Sequence, residues 1–168
     1  RSALAFCQIG SIEEKGGTVT VIHCGPAANE VTIRKALAIG ADDAVRVDID
    51  PDSAYTVAQQ IAAHASAAGY DIIFTGKETI DYNGALVGGM IAGLLDLPFI
   101  SHASKMTFQG DTAMVTRDIE GGEEEISLST PFVISAAKGM AEQRIPNMRG
   151  IMSAKTKPLT VVAPVAAE

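Results

Sequence analysis

Aromatic residues make up only 5% of this 168-residue chain, and tryptophan is absent. At this length one domain with a sizeable core is expected, and Ala, Val, Ile and Leu must fill it. Cysteine is scarce too. Cys7 and Cys24 sit in apolar settings with no disulfide spacing, which suits a reducing compartment. Positive charge is in short supply: 13 Lys and Arg face 20 Asp and Glu, for a net charge of −7. That balance argues against nucleic acid and against an anionic membrane surface as partners. No apolar run reaches membrane-spanning length, so no membrane insertion is expected. There is no signal-peptide pattern, although Arg1 is not a natural start and leaves room for a removed targeting segment. His23, His64 and His102 lack metal-ligand spacing, and no Ser-His-Asp or Cys-His arrangement can be assembled.

What is present is a rhythm. Residues 3–15 read as a helix with Leu4, Ile9 and Ile12 on one stripe, stopped by Gly16-Gly17. TVTVIHCG (18–25) is β-branched and bounded by glycine, as a buried strand is. Residues 27–39 read as a helix, 44–49 as an alternating strand, and Asp52 and Ser53 as caps of a helix running to about Ala68. YDIIFTG (70–76) is a continuous apolar strand, and 83–95 a Gly/Ala-rich helix. This β-α-β-α order predicts a mostly parallel sheet with helices on both faces. After Pro98 the order changes to successive strands over 100–108, 113–120 and 124–128, the last two joined at Gly121-Gly122 as an antiparallel hairpin. PFVISA returns to a buried strand with Pro131 at its first position, and 137–157 reads as a long loop with one short helix.

Two strand ends offer candidate sites. The loop GKETIDYNGALVGG follows the third strand and feeds a helix N-terminus, where backbone N–H groups suit a phosphate. Gly84, Gly88 and Gly89 lie at that entrance, and Asp81 and Asn83 could cap it; close helix packing explains the same small residues equally well. His23-Cys24-Gly25 ends another strand on the same carboxyl edge, where open parallel sheets collect ligands. Lys77 and Glu78 suit an acid–base pair only if buried, and ordinary loop charges otherwise. The acidic hairpin (Glu120, Glu123, Glu124, Glu125) either blunts an edge strand or faces a basic partner. Met140, Ile145, Met148, Ile151 and Met152 either pack on the sheet or form an adaptable docking surface.

The stretch VTRDIEGGEEEI followed by SLSTPFVIS resembles the signature of the electron transfer flavoprotein beta subunit. CGPAANEVTIRKALAIGADDAVRV, GKETIDYNGALVGGMIAGLLDLP and IPNMRGIMSAKTKP resemble the same family in the same order, so the likeness covers nearly the whole chain. The resemblance implies an α/β, Rossmann-like fold of the adenine nucleotide alpha hydrolase class. It implies one domain over 1–168, with the family's N-terminal strand and C-terminal arm outside it. It further implies a heterodimer with an alpha subunit that holds most of the FAD, AMP in this subunit, acyl-CoA dehydrogenases as electron donors and a quinone oxidoreductase as acceptor. The carrier has no catalytic side chain of its own, because the flavin does the chemistry. The implied compartment is cytoplasmic in a bacterium and the mitochondrial matrix in a eukaryote. A stand-alone adenine-nucleotide sensor of the universal stress type shares the rhythm but needs neither hairpin nor Met-rich tail.

Carried over residue by residue, the resemblance puts the nucleotide site at Cys24 and along Gly76 to Val87, including Lys77, Asp81, Asn83, Gly84, Ala85, Leu86 and Val87. Many members have Gln where Leu86 stands, so a side-chain donor is lost while backbone N–H groups remain. The Asp-Gly-Asp-Thr run of electron-bifurcating members, which bind a second FAD here, is replaced by Tyr82-Asn83-Gly84-Ala85. The family's partner recognition loop maps to 141–152, with Arg144, Ile145 and an anchoring Met148. A carboxylate that pairs with an alpha-subunit arginine near the flavin maps to Asp118, one methylene shorter than the usual Glu.

Overall fold

The computed structural model describes residues 16–79, 83–141 and 144–166. The helix expected over 3–15, with Cys7, lies outside the described residues. The elements are β1 (Thr20–Cys24), a 3-10 turn (Ala27–Asn29), α1 (Glu30–Ala38), β2 (Asp43–Val47), α2 (Ala54–Ala68), β3 (Ile72–Gly76), α3 (Leu86–Leu95), β4 (Phe99–Gln109), β5 (Thr112–Ile119), β6 (Gly122–Ser129), β7 (Phe132–Ala136), α4 (Met148–Ala154) and β8 (Leu159–Val162).

The fold is α/β, with the parallel and antiparallel parts in the expected places. Among the described residues the strands fall into two sheets. One is parallel throughout, in the order β1-β2-β8. The other runs β3-β7-β4-β5-β6: its first three strands are parallel and its last three an antiparallel meander. No strand among the described residues joins β1 to β3, which is why the parallel strands form two sheets rather than one. Helices connect the two parts: α2 packs on β1 and also on α3, while α3 packs on β3, β7 and β4.

β7 shows why a continuous apolar run becomes a central strand. Phe132 and Ile134 enter one core with Ile100, Ala103, Ala113 and Val115. Val133 points the other way into a second core with Ala58 of α2 and Ile91 and Ala92 of α3. A strand covered on both faces needs apolar side chains at odd and even positions alike. A third core joins α1 (Ile33, Ala36, Leu37) to β1, β2 and Ala154 of α4.

Local chemistry sets the boundaries. Ser53 caps α2, its hydroxyl accepting the Thr56 N–H at 3.1 Å, as expected from the sequence. α3 begins three residues later than its apolar pattern suggests, because Asn83 takes a left-handed conformation with φ 52°. β2 does not alternate in burial: Asp43 is half-buried and Ala44 to Val47 are buried, including Arg46. β8 was not apparent from the sequence, since LTVV is too short to carry a period and takes its register from β2.

Candidate functional site: two strand ends, a ribbon and an exposed helix

At the carboxyl end of β1, successive side chains serve opposite faces. The Cys24 thiol turns to α2, where its Sγ donates to the Val57 carbonyl at 4.0 Å. Burial pushes its pKa up to about 11, so it stays a neutral thiol and is no nucleophile. Cys24 can offer a ligand its backbone, and its side chain is committed to packing. His23 is buried on the opposite side, its Nε2 3.0 Å from the Asn29 amide nitrogen. Burial lowers its pKa, and the Arg46 charge lowers it further. The sequence reading did not single out Arg46. Its Nη1 donates to the Gly25 carbonyl at 2.9 Å and to Asp48 Oδ1 at 2.6 Å, and Glu30 Oε1 lies 3.5 Å from its Nε. Arg46 therefore fixes the turn that follows Cys24. The Glu30 and Asp48 carboxylates beside it were the available signal.

At the end of β3, Thr79 closes the loop. It donates its N–H to the Gly84 carbonyl, receives the Asn83 N–H on its own carbonyl and accepts the Gly84 N–H on its hydroxyl, each at 3.0 Å. Gly84 N–H is therefore spent. Ala85 precedes α3 without a side-chain cap, so Leu86, Val87 and Gly88 present first-turn N–H groups that no described side chain occupies. Asn83 does not cap the helix, and Asp81 lies outside the described residues. Leu86 is exposed, and Val87 packs against the α2–α3 core. A Cβ on Gly88 would lie 2.6 Å from Thr75 Oγ1 and 2.9 Å from Phe99 Cε2, so its smallness serves close helix–sheet approach. Gly76 ends β3 half-buried, and Lys77 and Glu78 are exposed with a 3.9 Å ion pair, as solvated loop charges are.

The antiparallel ribbon places Asp118 opposite Glu123, both exposed, on the face that also holds Glu125. On the other face Arg117 Nε meets Glu124 Oε2 at 2.5 Å. Beyond β7, Met140 packs on the core between the sheet strands. Ile145 is 86% exposed, Met148 76% and Met152 60%, so most of the tail's apolar residues face outward. Arg144 is also exposed. Sequence reasoning missed Arg34 and Lys157, which tie α4 to α1. No group of three or more metal-ligating side chains occurs among the described residues, and no helix among them is long and apolar enough to cross a membrane.

The electron transfer flavoprotein domain family matches residues 11–167. The electron transfer flavoprotein subunit beta of Bacillus subtilis is 36% identical over 151 residues, covering 88% of this chain and 59% of that protein. The proteins of the same name from Thermoanaerobacterium thermosaccharolyticum and Homo sapiens are each 38% identical, over 86% and 87% of this chain and 57% and 59% of their own lengths. The chain thus spans a little under three fifths of the length of these relatives. By the extent of the family match and the identity of these relatives, the chain belongs to the electron transfer flavoprotein family, on its beta-subunit side.

Proposed function

We propose that this chain is the nucleotide-holding part of a heterodimeric electron transfer flavoprotein, carrying electrons from acyl-CoA and related dehydrogenases to a quinone oxidoreductase. The observation that carries the reading is the uncapped first turn of α3, set at the carboxyl end of β3 within a chain of this family. Its N–H groups and the positive end of the helix dipole suit the phosphate of AMP. The backbone donors from Ala85 to Val87 fit that group. Leu86 adds no polar contact, so the phosphate is held by main chain alone.

FAD, held mainly by the alpha subunit, supplies the redox chemistry when bound. This chain's residues bind and orient. Asp118 on the ribbon faces an alpha-subunit cation, and Ile145 and Met148 enter a pocket of the dehydrogenase as apolar anchors. The test is co-expression with the alpha subunit. A yellow complex of two different chains that releases AMP on denaturation is the expected result. A colourless homodimer holding ATP would replace this reading with that of a universal-stress-type sensor.

A further inference from the structure

α1 and α4 cap each other. Arg34 of α1 sends Nη1 to the carbonyls of Ala154 and Lys157, 2.7 Å each, at the C-terminal end of α4. In return Lys157 sends Nζ to the carbonyls of Leu37 (3.2 Å) and Ala41 (2.6 Å) at the C-terminal end of α1. Each helix end, rich in unpaired carbonyls and negative by its dipole, receives a cation from the segment of the other helix. Between these two ties the backbones touch: a Cβ on Gly150 would lie 2.2 Å from the Ala38 carbonyl oxygen. Asn147 fixes the start of α4 by accepting the Gly150 N–H at 2.8 Å.

A seven-residue helix is not stable in isolation. Here α1 holds its inner side through buried Ala154, while Met148, Ile151 and Met152 face outward with Ile145 just before them. We propose that Arg34, Lys157 and Gly150 are positioning residues that hold α4 as a preformed docking helix for the electron-donating dehydrogenase. This rests on the reading above that the apolar face of α4 meets that partner. None of the three needs to touch the partner. They act by removing the cost of ordering α4 at the moment of docking.

The experiment uses the flavin-loaded complex with the alpha subunit as electron acceptor for an acyl-CoA dehydrogenase supplied with its acyl-CoA. Arg34→Met, Lys157→Met and Gly150→Ala should each raise KM for the complex by about 5- to 10-fold, with kcat changed by less than about twofold. Flavin content and absorbance should not change, and amide exchange over 148–152 should quicken. Lys157→Arg, which keeps a cation on the two carbonyls, should restore KM to within about twofold of the parent. Should Arg34→Met fail to fold, the other two variants carry the test. The inference is overturned if KM stays put while α4 loosens, if any rise in KM is matched by flavin loss, or if Lys157→Arg performs no better than Lys157→Met. Ile145→Ser with Met148→Ser, on an intact clamp, separates the two levels of the argument. If that pair raises KM and the clamp variants do not, only the clamp falls. If that pair leaves KM unchanged, the docking face itself is misassigned and the clamp proposal falls with it.

Discussion

His23 is held neutral by its surroundings. An amide nitrogen only donates, so the Asn29 contact makes Nε2 an acceptor and leaves the ring proton on Nδ1. Protonation would set two donors face to face, in a buried place and near the Arg46 cation. The folded pKa therefore lies below the ordinary value of 6.5, and the unfolded chain takes up the proton first. Stability contributed by this residue is intact above 6.5 and is lost as pH falls from there toward the folded pKa. Thermal denaturation between pH 7.5 and 5.5 should show a steeper loss of Tm for the parent than for His23→Gln, whose side-chain oxygen still accepts from Asn29. His64 and His102 are common to both proteins and cancel in the comparison. Equal slopes would mean that His23 titrates alike in both states. Cys24, one residue on, illustrates the same site from the other face: a lone cysteine beside a candidate ligand crevice invites a redox reading, and its burial and raised pKa withdraw it.

Among the elements, the ribbon carries the sharpest contradiction of local stability. Asp118 stands directly across from Glu123 with Glu125 on the same face, and like charges in that relation cost stability. A self-repelling face suits a cation brought by another molecule. Asp118→Asn should then move two properties in opposite directions. Denaturant unfolding should show a gain of roughly 0.3 kcal/mol. Stopped-flow electron transfer in the complex with the alpha subunit should slow, and should lose part of its salt dependence. A variant that is more stable and transfers electrons at the parent rate would remove Asp118 from the interface. The ribbon itself was legible in the sequence, because alternation and the Gly121-Gly122 turn are local signals. So were β7, from its unbroken apolar run, and the Ser53 cap of α2. Less legible were features set by distant partners. Arg46 reads as an exposed charge on an alternating strand, and the Gly25 carbonyl and the Glu30 and Asp48 carboxylates, which lie outside that strand, make its burial tolerable. β8 borrows its register from β2, and the Arg34–Lys157 exchange joins residues more than a hundred positions apart. Gly88 and Gly84 looked alike in the sequence, yet one serves packing and the other loop closure.

Taken whole, the described residues form two sheets bridged by helices. α2 lies on β1 and α3 on β3 and β7, and α2 and α3 pack on each other. The proposed phosphate-binding turn thus belongs to a helix that packs on α2 as well as on β3, β7 and β4. Ligand binding to the folded state alone stabilises it by about 2.7 kcal/mol at a hundredfold excess over Kd. AMP at that excess should therefore raise the Tm of the protein by several degrees. On the proposed site the phosphate carries most of the effect, because the first-turn backbone N–H groups of α3 are the donors on offer and the Leu86 side chain adds none. Adenosine at the same concentration should shift Tm by less than half as much, and inorganic phosphate alone should weaken the AMP shift by competing for those N–H groups. If adenosine and AMP stabilise equally, the adenine pocket holds but the phosphate assignment to α3 fails. If neither moves Tm, the crevice is not a nucleotide site, and the close of the loop by Thr79 is then a device of packing alone.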